Sequence, residues 1–375
     1  MKKLLMSMIM ILLLVSFVGC KKNNSTADQN SDNISPTTQP TVTLPPEEKT
    51  GDELGEAVGE QEAFTLEDYF PLEVDTEYVY EGAGNEYASY RRFNDYIDAS
   101  NKKLQTRTEN GGTVTVRVLQ IKDGALSVVY LANESYIRNN FMNQTSEADA
   151  EVLLMEPLTK GTNWTLSDGR TRTITGEKVA ITTPYGSFET LEVTTESADN
   201  TTKDYYVAGV GLVKTVFESE GMEVSSTLST VNKNTPYKQS FTLYYPDADE
   251  KIYMVPSELT LPTGSDALTV LEEAMKKDLP KDTYLPLMSK NTKLNSLTLE
   301  EGNILHADFS REFVSEMNAG AGYELRILQS VTNTLGNYFG VTKVLITLDG
   351  MPYESGHILM REGDVLEVSM ENVVQ

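Results

Sequence analysis

Polar and apolar positions alternate through most of the chain between Phe64 and Lys233, in short runs rich in β-branched and aromatic residues. Alternation with a period of two predicts half-buried strands. The run "TVTVRVLQIKDGALSVVYLA" divides at Lys122-Asp123-Gly124-Ala125, where Asp-Gly between alternating segments signals a tight hairpin. "NWTLSDGRTRTITG", "VAITTPYGSFETLEVTT", "TKDYYVAGVGLVKTVFES" and "MEVSSTLSTV" continue the pattern, and only "SEADAEVLLMEPL" reads as briefly helical or irregular. Strands in succession without intervening helices predict an antiparallel β-rich domain over 64–233, a sandwich or a curved half-barrel.

The period changes after "NKNTPYKQS". "FTLYYPDADEKIYMVPSELT" gives two extended runs about a polar Asp-Ala-Asp-Glu turn. In "TGSDALTVLEEAMKK", Ala267, Leu268, Leu271, Ala274 and Met275 recur at helical spacing, with Ser265 or Thr263 as the expected N-cap. "TKLNSLTLEEGNILHADFS" reads as a hairpin through Glu301-Gly302-Asn303. A second amphipathic helix follows in "YELRILQSVTNTLGNYFG", with Leu328, Val331, Leu335 and Phe339 on one stripe, and "VTKVLITLDG" closes as a strand. The order β-(β)-α-β-β-α-β suits one sheet with helices packed against it, a small α/β domain over 239–372. The whole chain is therefore expected to be α+β.

These C-terminal segments, in this order, resemble the sporulation and germination GerM-type (GerMN) domain over about residues 240 to 350. The most specific pieces are Asp308-Phe309-Ser310, Glu324 opening the second helix, Ser330 with Thr334, and the closing Asp349-Gly350. The resemblance implies a small α/β binding or assembly module on the outer face of Gram-positive membranes, often in lipoproteins, with no established catalysis. It makes Asp308, Ser310, Glu324, Ser330, Thr334 and Asp349 a candidate partner or ligand site. Structural roles compete with that reading. Asp308 or Ser310 would cap a strand end, Glu324 would favour the helix dipole, and Asp349-Gly350 would be a turn with Gly at positive φ. Within the β-rich part, Thr183-Pro184-Tyr185-Gly186-Ser187-Phe188 and Tyr205 to Lys214 resemble a pattern of uncharacterised extracytoplasmic bacterial proteins, which carries no activity.

The N-terminus adds an address. Met1-Lys2-Lys3 precedes an apolar run, Leu4 to Val18, and then Gly19-Cys20. The run has signal-peptide length and is short for a bilayer span. The order resembles a bacterial lipoprotein signal, with residues 1–19 removed and Cys20 carrying the lipid. Cys20 is the only cysteine, so it has no disulfide partner. Residues 20–63 are rich in Asn, Ser, Thr, Asp, Glu and Pro without apolar periodicity, and read as a disordered acidic tether. A flexible chain of that length spans roughly 35 Å. The expected location is the extracytoplasmic face of the cell membrane.

Composition narrows the chemistry. With 31 basic against 56 acidic residues, a formal net charge of −25 disfavours nucleic acid. It also favours a monomer in dilute solution, with surface association only where anchoring concentrates the chain. Two histidines and one cysteine leave no clustered His/Cys metal site, and no cofactor motif is present. Gly209-x-Gly211 is a turn or bulge rather than a phosphate loop, because strand pattern runs through it. No nucleophile elbow appears. His306 alternates with Leu305 and Ala307 and points away from them. Asp247, Asp249 and Glu250 lack the Gly and distant Glu of a calcium loop and read as a solvated turn. Trp164, Tyr205 and Tyr206 line a groove or fill a core. The expected function is non-catalytic binding or scaffolding at the cell envelope, with an envelope protein or peptidoglycan as partner. Two rivals stand beside it: an enzyme acting on wall glycan or peptide, and a lipoprotein whose β domain captures a lipid or small ligand.

Overall fold

The computed structural model describes residues 63–146 and 150–374. The signal, Cys20 and nearly all of the tether lie outside them. Residues 61–375 form one compact unit.

Twelve antiparallel strands make the first sheet. They are β1 (Glu77–Ala83), β2 (Tyr90–Asp98), β3 (Lys103–Glu109), β4 (Val114–Lys122), β5 (Ala125–Ala132), β6 (Glu151–Met155), β7 (Asn163–Thr165), β8 (Thr171–Thr183), β9 (Gly186–Glu196), β10 (Thr201–Val207), β11 (Gly211–Ser219) and β12 (Met222–Asn232). Their spatial order is 6-5-4-3-2-1-12-11-10-9-8-7. Each strand pairs with its sequence neighbours except that β6 and β7 do not pair, and β1 pairs with β12, so the two open edges, β6 and β7, are neighbours in sequence. The sheet curls into a near-barrel. At its seam, Trp164 Nε1 and Arg172 Nη1 both donate to the Val152 carbonyl, at 3.1 and 2.5 Å. The Asp-Gly hairpin forms as expected, with Asp123 and Gly124 both at positive φ.

The segment read as helical or irregular holds a strand instead. Glu151–Met155 pairs with β5 and buries Leu154. Its unbroken apolar run gives no period of two, and what makes it a strand is the unpaired edge of β5, a non-local fact. The near-barrel also has an outer layer. The tip of the β8–β9 hairpin folds over β11 and β12, where the Tyr185 N–H bonds the Leu228 carbonyl and Val179, Ile181 and Phe188 pack with Val213, Val216 and Leu228. One end of the interior is filled by the entering segment, with Leu66, Tyr69 and Phe70 packed against Leu104, Leu126 and Tyr206.

The second part follows after a short turn: β13 (Tyr237–Pro246), β14 (Ile252–Leu261), α1 (Ala267–Met275), β15 (Leu294–Glu300), β16 (Ile304–Phe309), the single turn α2 (Glu312–Ser315), α3 (Ala321–Phe339) and β17 (Lys343–Leu348). The expected single sheet is two. The β13–β14 hairpin carries Val373–Val374 in parallel, while β15, β16 and β17 form a second sheet with Met351–Pro352 and Leu366–Glu367 beside β17. Helix α3 is the crossover between the parallel strands β16 and β17, and it packs on β13 as well as on β16 and β17. It is therefore buried beyond one stripe: Leu328, Val331 and Leu335, but also Ser330, Thr332, Asn333 and Thr334, are inaccessible. The α1 N-cap is Asp266, whose side chain accepts from the Thr269 N–H. The expected caps are not used: Thr263 bonds Asp75 and Asn94, and the Ser265 carbonyl accepts from Tyr96 Oη while its hydroxyl has no partner among the described residues.

The two parts meet through a polar, buried contact. Arg138 donates to the carbonyls of Leu261 and Pro262, at 2.6 and 2.9 Å, and to that of Asp95. Arg107 and Arg138 both lie beside the buried Asp95 carboxylate, at 3.3 and 3.8 Å. Tyr237 donates to Glu109 at 2.6 Å, and its ring meets Phe93 edge to face.

Candidate functional site

The six residues singled out in the C-terminal part fall into three places. Asp308, on β16, stands at the strand ends with Asp349 and Ser310 nearby in sequence or space. Asp308 Oδ1 accepts from Thr347 Oγ1 at 2.6 Å and from the Gly350 N–H at 2.7 Å, and Oδ2 accepts from Asn295 at 2.9 Å. Asn295 also reaches Asp349 Oδ1 at 3.3 Å. Burial opposes ionisation of Asp308, but these donors and the neighbouring His306 outweigh it and hold its carboxyl below the ordinary value. Asp349 and Gly350 have φ of 49° and 77°, the left-handed pair of a tight turn, and Asp308 fixes that turn through the Gly350 N–H. Ser310 joins β16 to the chain before β15: its hydroxyl accepts from the Lys293 N–H at 2.9 Å, and its own N–H returns to the Lys293 carbonyl.

Glu324 belongs to a different cluster. It lies in the first turn of α3, is 2% exposed, and accepts from Tyr353 Oη at 2.8 Å through one oxygen and faces His357 Nδ1 at 2.9 Å through the other. Burial again raises its pKa, and hydrogen bonds from Ser355, Tyr353 and His357 reverse the direction, so its carboxyl titrates below the ordinary range. Tyr353 moves the opposite way: burial raises it first, and the Glu324 carboxylate raises it further. The pair clamps the segment after β17 onto the helix start. Ser330 and Thr334 lie in the middle of α3. Thr334 Oγ1 accepts from the Tyr244 N–H of β13 at 3.1 Å, while the Ser330 hydroxyl is buried with no partner among the described residues.

His306 does point away from Leu305 and Ala307, and stands between Glu300 and Thr347 at 2.9 and 2.8 Å. Asp247 accepts from the N–H groups of Asp249 and Lys251, closing the β13–β14 turn on itself. Among the described residues no group of three or more His, Cys, Asp or Glu is placed to hold a metal ion. No described helix is long and apolar enough to cross a membrane. Trp164 sits at the barrel seam and Tyr206 in the interior, whereas Tyr205 packs with the outer layer, so the three do not share one groove.

The clusters thus fasten three junctions: the strand-end turn, the helix start, and the helix against β13. The family model described as Germane, sporulation and spore germination, matches this part of the chain. Its match covers residues 242–354. The Germane domain therefore contains all six candidate residues. Among solved structures, the tandem GerMN domains of the sporulation protein GerM from Bacillus subtilis match at 21% identity, over 36% of this chain and 47% of that one, with a TM-score of 0.27. This chain thus spans about half the length of that tandem pair. The first GerMN domain alone matches at 24% identity, over 36% of this chain and 98% of that one, also at 0.27. No curated protein matches the chain.

Sequence reasoning missed Tyr353, His357 and Asn295, the partners that give Glu324 and Asp308 their environments. The signal available was weak, since Tyr353 and His357 are separated by one turn in a segment with no periodic pattern. Of the aromatic residues expected in a groove or a core, Tyr206 does line the interior of the near-barrel, and the arginines beside it, Arg92, Arg117 and Arg172, were not singled out.

Proposed function

We propose that the chain is a lipid-anchored, extracytoplasmic module of the cell envelope that binds a protein or wall partner without catalysis, through the exposed end of its Germane domain. The observation that supports this reading is the saturation of the candidate polar residues. Asp308 is occupied by three internal donors, and Glu324 is held by Tyr353 and His357, so neither carboxylate is presented to a substrate. What the clamps do present is apolar. Beside Glu324, Tyr323 and Leu325 are 42% and 57% exposed, and on the clamped segment Leu359 is 75% exposed. Large apolar side chains held outward on a fastened scaffold suit docking, where pre-organisation lowers the ordering cost.

The membrane anchor in this reading rests on Gly19-Cys20 and the apolar run before it. The experiment places a photo-crosslinking residue at Leu359 or, as a control, at Met222 on the near-barrel, in cells making the full chain. Membrane-associated protein with a discrete adduct from position 359 and none from 222 is the expected result. Adducts confined to position 222 would move the partner surface to the near-barrel, and release of processed wall fragments by the purified chain would replace docking with the enzymatic alternative.

A further inference from the structure

The near-barrel interior is a cavity of about 510 Å³, within the range of sites that hold small ligands. Its wall changes chemistry in steps that the strand register fixes. Across β3 and β4, Leu104 pairs with Leu119, then Thr106 with Arg117, then Thr108 with Thr115. All six face the cavity. An apolar floor therefore gives way to a cationic band and then to a hydroxyl-lined mouth.

The band is charged in a direction opposite to the protein as a whole. Arg92, Arg117 and Arg172 line it with the carboxylates Glu151 and Asp204. Arg172 is engaged by Glu151 at 2.6 Å, and Asp204 accepts from Thr215 at 2.6 Å. Burial pushes the Asp204 carboxyl up toward its neutral form. Among the described residues, Arg92 and Arg117 pair with no carboxylate. Arg92 stacks its guanidinium 4.0 Å from the Tyr78 ring centre, and its Nε is buried without an acceptor. Arg117 keeps contact with solvent at the cavity opening, so the cost of leaving water without an anion falls on Arg92, in a chain whose 56 acidic residues made a pairing carboxylate abundantly available.

We propose that this interior is a binding site for an anionic amphiphile, a phosphate or carboxylate borne on an apolar chain, with the anion on Arg92 and Arg117 and the chain on the floor beneath. The guanidinium fork matches both oxyanions in geometry. The apolar part follows from the floor: Leu104 and Leu126 belong to the buried cluster that contains Tyr206 and Trp164. It follows also from the net charge of −25, which repels a small free anion at long range and leaves burial of a chain to supply the attraction.

Trp164 is the only tryptophan and belongs to the buried cluster that also holds the floor residues Leu104 and Leu126, so a bromine on the tail reports through it at short range without touching it. The full chain, in a non-ionic maltoside detergent, is titrated with dodecyl phosphate brominated near its tail end. Saturable quenching of Trp164 is expected. Unlabelled dodecyl phosphate should reverse it, while dodecanol and inorganic phosphate at the same concentration should not. Quenching reversed equally by dodecanol overturns the role of the anion, and reversal by inorganic phosphate overturns the role of the chain. The double variant Arg92→Gln/Arg117→Gln should weaken binding at least tenfold, and Arg117→Lys should retain most of it. Unchanged affinity in the double variant, with its thermal unfolding intact, overturns the assignment. No saturable quenching in the unmodified chain does so as well, and leaves the docking reading of the Germane domain untouched.

Discussion

Arg138 Nη1 donates to the Leu261 carbonyl at 2.6 Å, across 123 positions of sequence. The bond joins the loop after β5 to the end of β14, and so ties the near-barrel to the Germane domain through one buried side chain. Asp95 completes the arrangement, because its carboxylate faces both Arg138 and Arg107 while its carbonyl accepts from Arg138 and from the Gly264 N–H. Wholly buried charges are tolerated when they are paired and hydrogen-bonded, and here each charge faces its opposite, with Arg138 Nε, 3.8 Å from Asp95, left without a hydrogen bond.

The first prediction concerns that tie. Arg138→Ala leaves the Leu261 and Pro262 carbonyls without their donor and removes one of the two cations beside Asp95. The expected loss is about 3 kcal/mol. Calorimetry should show one unfolding transition for the natural chain and two for the variant, as the near-barrel and the Germane domain separate. A single transition at an unchanged temperature in the variant would show that the apolar contact of Phe93 with Tyr237 suffices to couple them.

Glu324 gives a pH dependence with a definite sign. Its folded-state pKa lies below the ordinary 4.5, so the unfolded chain binds its proton more readily than the folded one. The stabilisation is complete above about pH 4.5 and is lost as the pH falls through the lowered folded value. Glu324→Gln should cost about 1–3 kcal/mol at pH 7, because Tyr353 and His357 then face a neutral amide in a buried site. Denaturant unfolding of both forms from pH 7 to pH 3 checks this, with the gap between them narrowing only at the acid end.

The seam of the near-barrel carries the third prediction. Arg172 reaches from β8 to Val152 and Glu151 of β6, the only strand-to-strand fastening there besides Trp164 among the described residues. Arg172→Ala should release β6 as a free edge. Amide hydrogen exchange of Glu151–Met155 should quicken by tenfold or more, while Lys103–Glu109, in the middle of the sheet, keeps its protection.

Much of this architecture was legible in the sequence, and the illegible part has a common cause. Alternation identified the strands around Asp123-Gly124 because both signals are local. The resemblance in the C-terminal part rested on Asp308, Glu324, Thr334 and Asp349, and the Germane match covers all four. Alternation did not say which face of a strand is the core. In β4, Val116 and Val118 are fully buried, yet they lie on the outer face; Arg117 between them lines the interior. The pattern was read correctly as two faces, and the near-barrel inverts their meaning. The α1 cap fell to Asp266 because Thr263 is used to bind Asp75 and Asn94, residues of the other part of the chain. Glu151–Met155 became a strand because β5 lacked a neighbour. Each of these was decided by a partner distant in sequence.

The last prediction joins the anchor to self-association. Cys20→Ser should release the chain from the membrane or leave its precursor uncleaved, which fractionation and mass measurement report directly. Once the anchor is gone, the formal charge of −25 dominates encounters between copies. At low salt the repulsion extends over tens of ångströms, and near physiological ionic strength it contracts to about 8 Å. Contact must then come from short-range surfaces. The middle of α3 is not available, since its residues from Ile327 to Gly336 are largely buried against β13, β16 and β17. The open apolar positions are at its start, Tyr323 and Leu325, and on the clamped segment, Leu359. Sedimentation of the chain from Gln61 onward should therefore show a monomer at low salt. Any weak association at moderate salt should disappear in Leu325→Ser/Leu359→Ser. A tight oligomer at low salt would mean that charges on the contacting faces are complementary despite the overall excess. An association insensitive to both substitutions would place the contact on another surface, for which the exposed edge strand β15, with Leu299 outward, is the next to test.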